Sequence, residues 1–590
     1  MKRRLYISPL QRRMFLLAFL TAFFAVFTQV LAVTIDNVIV CAFYGEREIA
    51  AVNLAGPFFY LLEIPAAGLG AGLQAVCAKE LGAGQIDRVN RRFSQIFQLG
   101  AVLLAGLSAL VFFGAEGLAV LFGARGNTAE LRPHAAAYLR GLSLEILPYV
   151  LFCLTSPIVI LDNGGKLISL ASFCGCFADV ALDLLSVRFG WGLWGIGLAS
   201  SASALVYFGV TMLHFLRRDR VIRLRPTAPR RADLKEIMVY SRPQAVLCLG
   251  RALSAALYIF LASVTGGVAG ACVLSVHVTV SYFVAMVGDG ASGALGILAG
   301  ICCGEKNGEE LEGFGALAQG YCLLLSLPVV GVLALIARPL STALAESPAT
   351  EELMVFALRC VIVTAPFSFL VHARIRYLQA VGSVRAARRM ALSADLLLPA
   401  VTGCLLALLL GVHGVFLAFP ATAILTLLYD LIWHQRRSGK LFPPASAYLE
   451  VDGSFYPGPG DLISYPIRSE EDCALAAEQA ALFCRGHKLS ERQAFLVGLC
   501  TEELCTNALE HGLQPGQALR DADLRLVLSE GDVILRLRDR GRPFNLREFA
   551  DRLAAEDTAP DGPGLRILLH TAKDLSYYRT YGMNTTILRL

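Results

Sequence analysis

Residues 68–84 read Gly68-Leu-Gly-Ala-Gly-Leu-Gln-Ala-Val-Cys-Ala-Lys-Glu-Leu-Gly-Ala-Gly84, an apolar, glycine-rich stretch that runs into a polar turn. Four positions in and just after this stretch recur at one constant offset: Gly68, Leu73, Gly82 and Asp87 correspond to Gly290, Leu295, Gly304 and Glu309. Each copy ends a predicted helix, turns at glycine and restarts in a polar segment. The repeat therefore predicts two related halves within the apolar part of the chain.

Apolar segments of about 20 residues, enough to cross roughly 30 Å of hydrocarbon, surround both copies. The composition fits lipid surroundings, since 56% of residues are hydrophobic, 17% are charged and the mean hydropathy is +0.59. We predict an all-α polytopic membrane region with about 12 transmembrane helices in two six-helix lobes, residues 1–220 and 221–440. The predicted spans are 14–40, 50–76, 93–114, 135–160, 167–187, 192–216, 237–263, 270–301, 314–337, 353–379, 388–410 and 412–434.

Basic residues cluster in alternate loops, beside the apolar segments, and are densest between Arg217 and Arg231. Cytoplasmic loops carry such an excess of Lys and Arg, so we expect a multi-pass protein of the plasma membrane with both termini cytoplasmic. The net charge of +5 is explained by these loops, and we expect no nucleic-acid partner. The first apolar stretch is too long for a secretory signal core and is interpreted as a retained helix.

Three carboxylates lie inside predicted spans. Asp36 is in the first span, while Asp179 and Asp183 are four residues apart in the fifth and therefore share a helix face. A carboxylate in hydrocarbon is costly unless it faces a cavity or a partner. Neighbouring carboxylates raise one another's proton affinity, and their oxygens also suit sodium. We predict a coupling site for H⁺ or Na⁺; the alternative is that Asp179 or Asp183 sits near a helix end and meets water.

Other polar residues in apolar surroundings are interpreted as paired structural charges or interface residues: Glu63, Glu145, Arg251, Asp289, His372 and Asp395. The sixteen cysteines are scattered and lack the spacing of a zinc site. They are interpreted as small buried apolar residues.

Residues 10–435 resemble the multidrug and toxic compound extrusion (MATE) family. The resemblance is carried by Asp36, by the glycine-rich run through Gly84, and by Asp183 ahead of Phe189-Gly190-Trp191-Gly192. It implies two six-helix lobes in a V and export of small organic, often cationic, compounds across the bilayer against inward H⁺ or Na⁺. It also implies that Asp36 and Asp183 couple transport to the cation. Asp179 stands where the family commonly has Asn, so this site carries an additional acid.

The chain turns soluble after the proline-containing stretch 436–444. Alternation over 462–467 predicts a strand, helices fit 470–486 and 490–511, and strands fit 523–529, 532–538, 576–580 and 585–590. We predict an α/β sandwich with a mixed sheet as a separate domain over residues 445–590.

Three motifs in this domain occur in order: Glu503-x-x-x-Asn507, Asp539-x-Gly541 and Gly562-x-Gly564. With their flanking residues they resemble the GHKL ATP-binding superfamily over about 460–590, and most of all the anti-sigma-factor serine kinases. The resemblance implies ATP and Mg²⁺ as cofactors and a protein phosphorylation target. Pro560 and Asp561 replace the Arg that such kinases commonly carry before the lid glycines, which puts efficient phosphoryl transfer in question.

The residue types fit these roles. Glu503 and Asn507 lie one helical turn apart, so the Asn507 oxygen can hold Mg²⁺ while Glu503 orients a hydroxyl or water as a base. Asp539 can accept from the adenine amino group, and Gly541 lets the backbone approach the ring.

The remaining positions complete the predicted pocket. Gly562 and Gly564 are predicted to form a mobile lid before a helix whose free N–H groups face phosphate. Thr585, or alternatively Thr586, completes the adenine floor.

Two functions follow from these parts. The first is a cation-coupled antiporter that exports drug-like organic compounds and carries a cytoplasmic ATP-binding regulatory or serine/threonine-kinase-like domain. The alternative is a membrane ligand sensor with a protein kinase output and no transport. The ATP-binding domain is not expected to drive transport, because the sequence has one such site and lacks a Walker-type phosphate loop.

Overall fold

The computed structural model describes residues 7–44, 46–217, 220–345, 347–440, 450, 461–512, 522–529, 531–546, 548 and 563–590. A helical half comes first and an α/β domain follows. The helices are α1 (Pro9–Phe43), α2 (Glu46–Leu54), α3 (Gly56–Gly82), α4 (Ile86–Leu121), α5 (Arg132–Ser143), α6 (Ile146–Leu161), α7 (Gly165–Phe189), α8 (Gly192–Met212), α9 (Arg231–Gly304), α10 (Gly308–Leu344), α11 (Pro348–Ala380), α12 (Val384–Leu392), α13 (Leu398–Leu410) and α14 (Val412–Ser438). We call α1–α8 the N lobe and α9–α14 the C lobe.

Ten of the described helices are long and apolar enough to cross a membrane, or eleven if the bent pair Ala129–Ser143 and Ile146–Leu161 forms one span. Helix α9 has 74 residues and contains a non-helical residue, Gly267, at φ 60° and ψ −148°. A Cβ on Gly270 would lie 2.5 Å from the carbonyl oxygen of Ala262. Those residues would be about 12 Å apart in a straight helix. The chain therefore reverses direction at Gly267, between the predicted spans 237–263 and 270–301. The total of about 12 membrane spans stays a prediction.

The glycine repeat has a structural reason in the crossing of α3 and α9. A Cβ on Gly82 would overlap the carbonyl oxygen of Ile301, and a Cβ on Gly304 would overlap that of Lys79. Both pairs are related by the offset of the sequence repeat, so this is one contact formed twice about a pseudo-two-fold axis. The backbones approach so closely here that only glycine fits.

The two lobes also meet through charges on the same side of the helical half. Arg92 of α4 donates from Nε to Asp233 Oδ1 at 3.1 Å and from Nη2 to Glu236 Oε2 at 2.7 Å, both on α9. Arg92 and Asp233 are buried. We call this the basic side; it holds the turns 83–85, 162–164 and 305–307 and the arginine-rich segment 220–230.

The C-terminal domain contains a five-stranded sheet in the order β1-β2-β3-β5-β4. Its strands are β1 (Leu462–Pro466), β2 (Asp523–Ser529), β3 (Asp532–Asp539), β4 (Asp574–Thr580) and β5 (Met583–Arg589), and its helices are Glu470–Gly486, Glu491–Gly512 and Pro563–Thr571. The α/β sandwich is confirmed, but the predicted mixed sheet is wrong because every neighbouring pair is antiparallel. Short turns at Gly531 and Gly582 close two hairpins, which leaves no parallel crossover among these strands.

The two faces of this sheet have different partners. Leu524, Leu526, Leu535 and Leu537 are buried against the domain's helices. The alternate residues on β2 and β3 include Arg525, Arg536 and Arg538, which point to the other face and pack on the basic side of the helical half. The domain is therefore one layer of a larger packed structure.

The glycine contact predicts a matched pair of effects on stability. Gly304→Ala should destabilise the chain by about 1–3 kcal/mol because the added methyl meets backbone that cannot move aside. Gly106→Ala should leave stability unchanged or raise it, because a Cβ there has no atom within 4 Å and Ala is the better helix former. Thermal unfolding in one detergent would measure both, and equal melting temperatures would contradict the close-packed crossing.

Candidate functional site

The three predicted acids meet inside the N lobe. Asp36 lies on α1, and Asp179 and Asp183 lie one turn apart on α7, which packs against α1. Asp183 is 0% exposed and Asp179 is 4% exposed. The charges of Asp36 and Asp183 act on each other, so these two carboxyl groups are neighbours. Two neighbouring carboxylates repel each other, and a shared proton or a bound cation removes that repulsion.

These acids have unused hydrogen-bonding capacity. Both carboxylate oxygens of Asp183 and one oxygen each of Asp36, Asp179 and Glu145 are buried and accept no hydrogen bond from any described residue. Buried polar atoms are nearly always paired. Unpaired carboxylates within a helical bundle are therefore suited to hold a proton or a metal cation. Among the described residues, no three His, Cys, Asp or Glu side chains converge as a formed metal site.

The sequence interpretation missed Glu145 as a member of this group. It was assigned a structural or interfacial role, but it lies where α5 gives way to α6 and its charge acts on Asp179. Tyr138 of α5 is buried beside the same acids. A carboxylate at a break inside a predicted span is the signal that could have identified it. Glu63 does fit a paired role, since it accepts a hydrogen bond from Tyr149 at 2.6 Å.

The C-terminal domain forms the second site. Asn507 Nδ2 donates to the backbone oxygen of Glu503 at 2.7 Å and to Glu503 Oε1 at 2.8 Å. With its nitrogen held in this way, Asn507 presents Oδ1 as the remaining polar atom. An oxygen ligand of this kind is what Mg²⁺ prefers, so the residues fit the metal.

Asp539 is fixed at the end of β3. Its Oδ1 accepts from Gly541 N at 2.6 Å and from Asn584 Nδ2 at 2.8 Å, while the Tyr577 hydroxyl donates to Asn584 Oδ1 at 2.9 Å. Burial raises the pKa of Asp539, and the bonds from Asn584 and Gly541 act in the opposite direction. The sequence motifs did not include Asn584 or Tyr577. The pairing of β3 with β5 and of β5 with β4 brings them to Asp539.

The structure does not bring Thr585 to this group. Thr585 is opposite Arg538 and Tyr578, so it lies on the sheet face that packs on the helical half. Thr586, the alternative, is opposite Leu537 and Tyr577 and lies on the face of Asp539. The expected adenine floor therefore needs Thr586 in place of Thr585.

The predicted lid is only partly described. Gly562 lies outside the described residues, and Gly564 is in the first turn of the helix Pro563–Thr571. The free N–H groups of that turn are a suitable phosphate contact. Together with Asn507 and Asp539, they make a donor and acceptor set that fits Mg-ATP.

Comparison with known proteins supports both parts. The family described as MatE matches residues 21–185, and the family described as histidine kinase-like ATPase domain matches residues 468–590. A serine/threonine-protein kinase, BtrW of Bordetella bronchiseptica, is 32% identical over 98 residues, which cover 16% of this chain and 68% of the kinase.

Two relatives match the helical half. Probable multidrug resistance protein NorM of Deinococcus radiodurans is 30% identical over 197 residues, covering 31% of this chain and 41% of that protein. The same-named protein of Agrobacterium fabrum is 35% identical over 127 residues, covering 21% of this chain and 27% of that protein. The chain thus spans less than half the length of these relatives.

Solved structures share the fold of the helical half. An outward-facing multidrug resistance MATE family transporter of the MOP superfamily aligns with a TM-score of 0.68 at 21% identity over 74% of this chain and 96% of that chain. A MATE in complex with MaL6 aligns with a TM-score of 0.68 at 20% identity over 74% and 97% of the two chains. The chain is therefore a multi-pass membrane protein in which a domain of the MATE family is joined to a C-terminal domain of the histidine kinase-like ATPase family.

Proposed function

We propose that this protein is an antiporter that exports small organic compounds in exchange for H⁺ or Na⁺, and that its ATP-binding domain regulates transport. The observation that carries the proposal is the cluster of four acids in which the buried Asp179 and Asp183 have Asp36 and Glu145 as neighbours. A bundle of apolar helices holds such a cluster only if something compensates its charge.

The chemistry of the acid cluster explains an exchange. When Asp36 and Asp183 share a proton or hold a cation, their repulsion is removed and α1 can pack against α7. When that cation leaves, the charged acids need another positive partner. An organic cation entering the same cavity would meet this need, so the coupling ion and such a substrate would compete for the same carboxylates.

The orientation follows from charge. The turns and segments rich in Arg and Lys lie on the side where the C-terminal domain packs, which supports a cytoplasmic location for that side and for both termini. The ATP-binding site would then face the compartment that supplies ATP.

We assign the adenine contact to Asp539, Gly541 and Thr586, the Mg²⁺ contact to Asn507 and a phosphate lid to Gly562 and Gly564.

A kinase output is the second candidate for the C-terminal domain. The similarity to the kinase BtrW over 68% of its length favours it. In that case Glu503 is the base that activates a hydroxyl of a protein target. Its Oε1 accepts a hydrogen bond from Asn507, which would place base and metal ligand together.

Neutralising the acid pair tests the coupling. Asp36→Asn and Asp183→Asn should each lower gradient-driven movement of a fluorescent organic cation in proteoliposomes at least about tenfold, since each removes a group that binds the coupling ion. Separate proton and sodium gradients identify the ion. Glu116→Gln is the control, because Glu116 is half exposed and forms peripheral ion pairs with Arg132 and Arg140. Unchanged transport by both aspartate variants would overturn the coupling proposal.

The nucleotide site is tested by binding to the full chain in lipid nanodiscs. Asn507→Ala should abolish the Mg²⁺-dependent part of ATP binding measured by isothermal titration, because the anchored amide oxygen is lost. Glu502→Gln changes an exposed neighbour on the same helix and should bind like the unmodified protein. Equal Mg-ATP binding by the Asn507 variant would refute the pocket assignment.

A second assay tests the kinase output by following the transfer of radiolabelled phosphate from ATP to a protein target. Transfer that is lost in the Glu503→Gln variant would identify a kinase.

A further inference from the structure

We propose that the outer face of the β-sheet is a staple that holds the two lobes together on the basic side, so that opening of this side requires the face to detach. We call this surface the docking face and define it by Arg525, Arg536, Arg538, Ser576 and Tyr578. A two-layer α/β sandwich would leave such a face to solvent. Here it is buried against the helical half.

The C lobe binds the docking face through buried charges. Arg538 donates from Nη2 to Glu305 Oε1 at 2.7 Å and from Nη1 to Glu310 Oε2 at 2.8 Å. Arg536 bonds the same two glutamates. The side chains of Arg538, Arg536 and Glu305 are 2%, 5% and 3% exposed, so water does not screen these pairs. Tyr578 adds a hydrogen bond from its hydroxyl to Glu305 Oε1 at 2.9 Å.

The N lobe binds the same face through neutral hydrogen bonds. Ser576 Oγ donates to the carbonyl oxygen of Gly84 at 2.7 Å. In the turn that joins β4 and β5, Gly582 N donates to Asn163 Oδ1 at 2.7 Å. Met583 and Tyr581 join the apolar core of the helical half. The domain is therefore held by both lobes and not by the C lobe alone.

The docking face makes equivalent bonds to the two repeats. Arg525 Nη2 donates to the carbonyl oxygen of Lys306 at 3.2 Å, as Ser576 does to that of Gly84. Gly84 and Lys306 are related by the repeat offset, and both have positive φ, 74° and 51°. These turns directly follow the Gly82 and Gly304 contact. The sheet thus binds the same point of each lobe, next to the place where the lobes meet.

The spacing of these contacts makes the staple stiff. Ser576 contacts the N lobe and Tyr578 contacts the C lobe, and they are two residues apart on β4, about 7 Å along the strand. The hydrogen-bonded ladder to β5 prevents this strand from lengthening. Alternating access moves one lobe against the other around a central site. Parting the lobes on the basic side therefore breaks one set of contacts or the other.

The acids that bind the arginines occur in one repeat only. At the repeat offset, Glu305 corresponds to Ala83 and Glu310 corresponds to Arg88. The crossing of the lobes is symmetric, but the charge cluster that receives Arg536 and Arg538 is not. Glu305 and Glu310 therefore occur only in the repeat that contacts Arg536 and Arg538.

The test releases the staple without changing the C-terminal domain. Spin-label amino acids at the exposed positions Lys166 and Arg385 report the distance between the lobes on the basic side by pulsed electron resonance in nanodiscs. Glu305→Gln together with Glu310→Gln should shift the distances to larger values. It should also raise export at least about twofold, by easing the opening step that the staple opposes. Glu470→Gln with Glu471→Gln changes an exposed acid pair on a distant helix and should match the unmodified protein.

The outcomes separate this inference from the export function. The expected increase in export rests on the proposed antiport, but the expected change in lobe distance does not. Larger distances in a protein that shows no transport would therefore support the staple and contradict the export function. Retained Mg-ATP binding establishes that the domain is folded in the double variant. If the double variant loses Mg-ATP binding, Ser576→Ala takes its place. This substitution removes a single hydrogen bond to the N lobe and should shift the lobe distances to larger values by a smaller amount. Distances identical to the unmodified protein in folded variants would overturn the staple.

Discussion

The backbone contact between α3 and α9 at Gly82 and Gly304 is the constraint on which the other features depend. It brings two related helices together where neither can carry a Cβ, and it fixes the turns that follow both helices. Those turns supply the carbonyl groups of Gly84 and Lys306 to the β-sheet. The geometry that closes the lobes on one side thus also creates the surface on which the C-terminal domain rests.

The acid cluster and the ATP-binding site lie in different parts of this arrangement, but a short physical route joins them. Arg538 and Asp539 are consecutive on β3 and point to opposite faces, one to the helical half and the other to the nucleotide site. On β5, Thr585 faces the helical half, like Arg538, and its neighbour Asn584 faces the nucleotide site, like Asp539. A change at the proposed adenine contact would therefore act on strands whose other face packs against the lobes. The N lobe in turn holds Asp36 and Asp183.

Local pattern predicted much of the C-terminal domain. The helix 470–486 and the strand 523–529 begin and end where expected, because capping at Ser469 and the alternation of Leu with polar residues are short-range signals. The mixed sheet was wrong because strand pairing is set by contacts between distant segments. The same limit applies to Thr585, since the register of β5 against β3 decides which threonine faces Asp539. Arg536 and Arg538 alternate with leucines as a solvated sheet face would, and only the packing identifies their glutamate partners.

In the helical half, the repeat and the intramembrane acids could be identified from residue type and spacing. Asp179 and Asp183 share a face through helical periodicity alone. Glu145 could not be grouped with them because the break between α5 and α6 determines where it points. The break expected between the predicted spans 237–263 and 270–301 contains Gly267, the non-helical residue at which the chain reverses.

The central claim is that closure of the lobes and docking of the sheet form one cooperative unit. Hydrogen–deuterium exchange of the full chain in nanodiscs, followed across pH, tests it most directly. Peptides covering residues 82–86, 304–308 and 574–587 are predicted to gain or lose protection together, at the same pH and to the same extent. Increased exchange in the two turns while residues 574–587 stay protected would contradict the account.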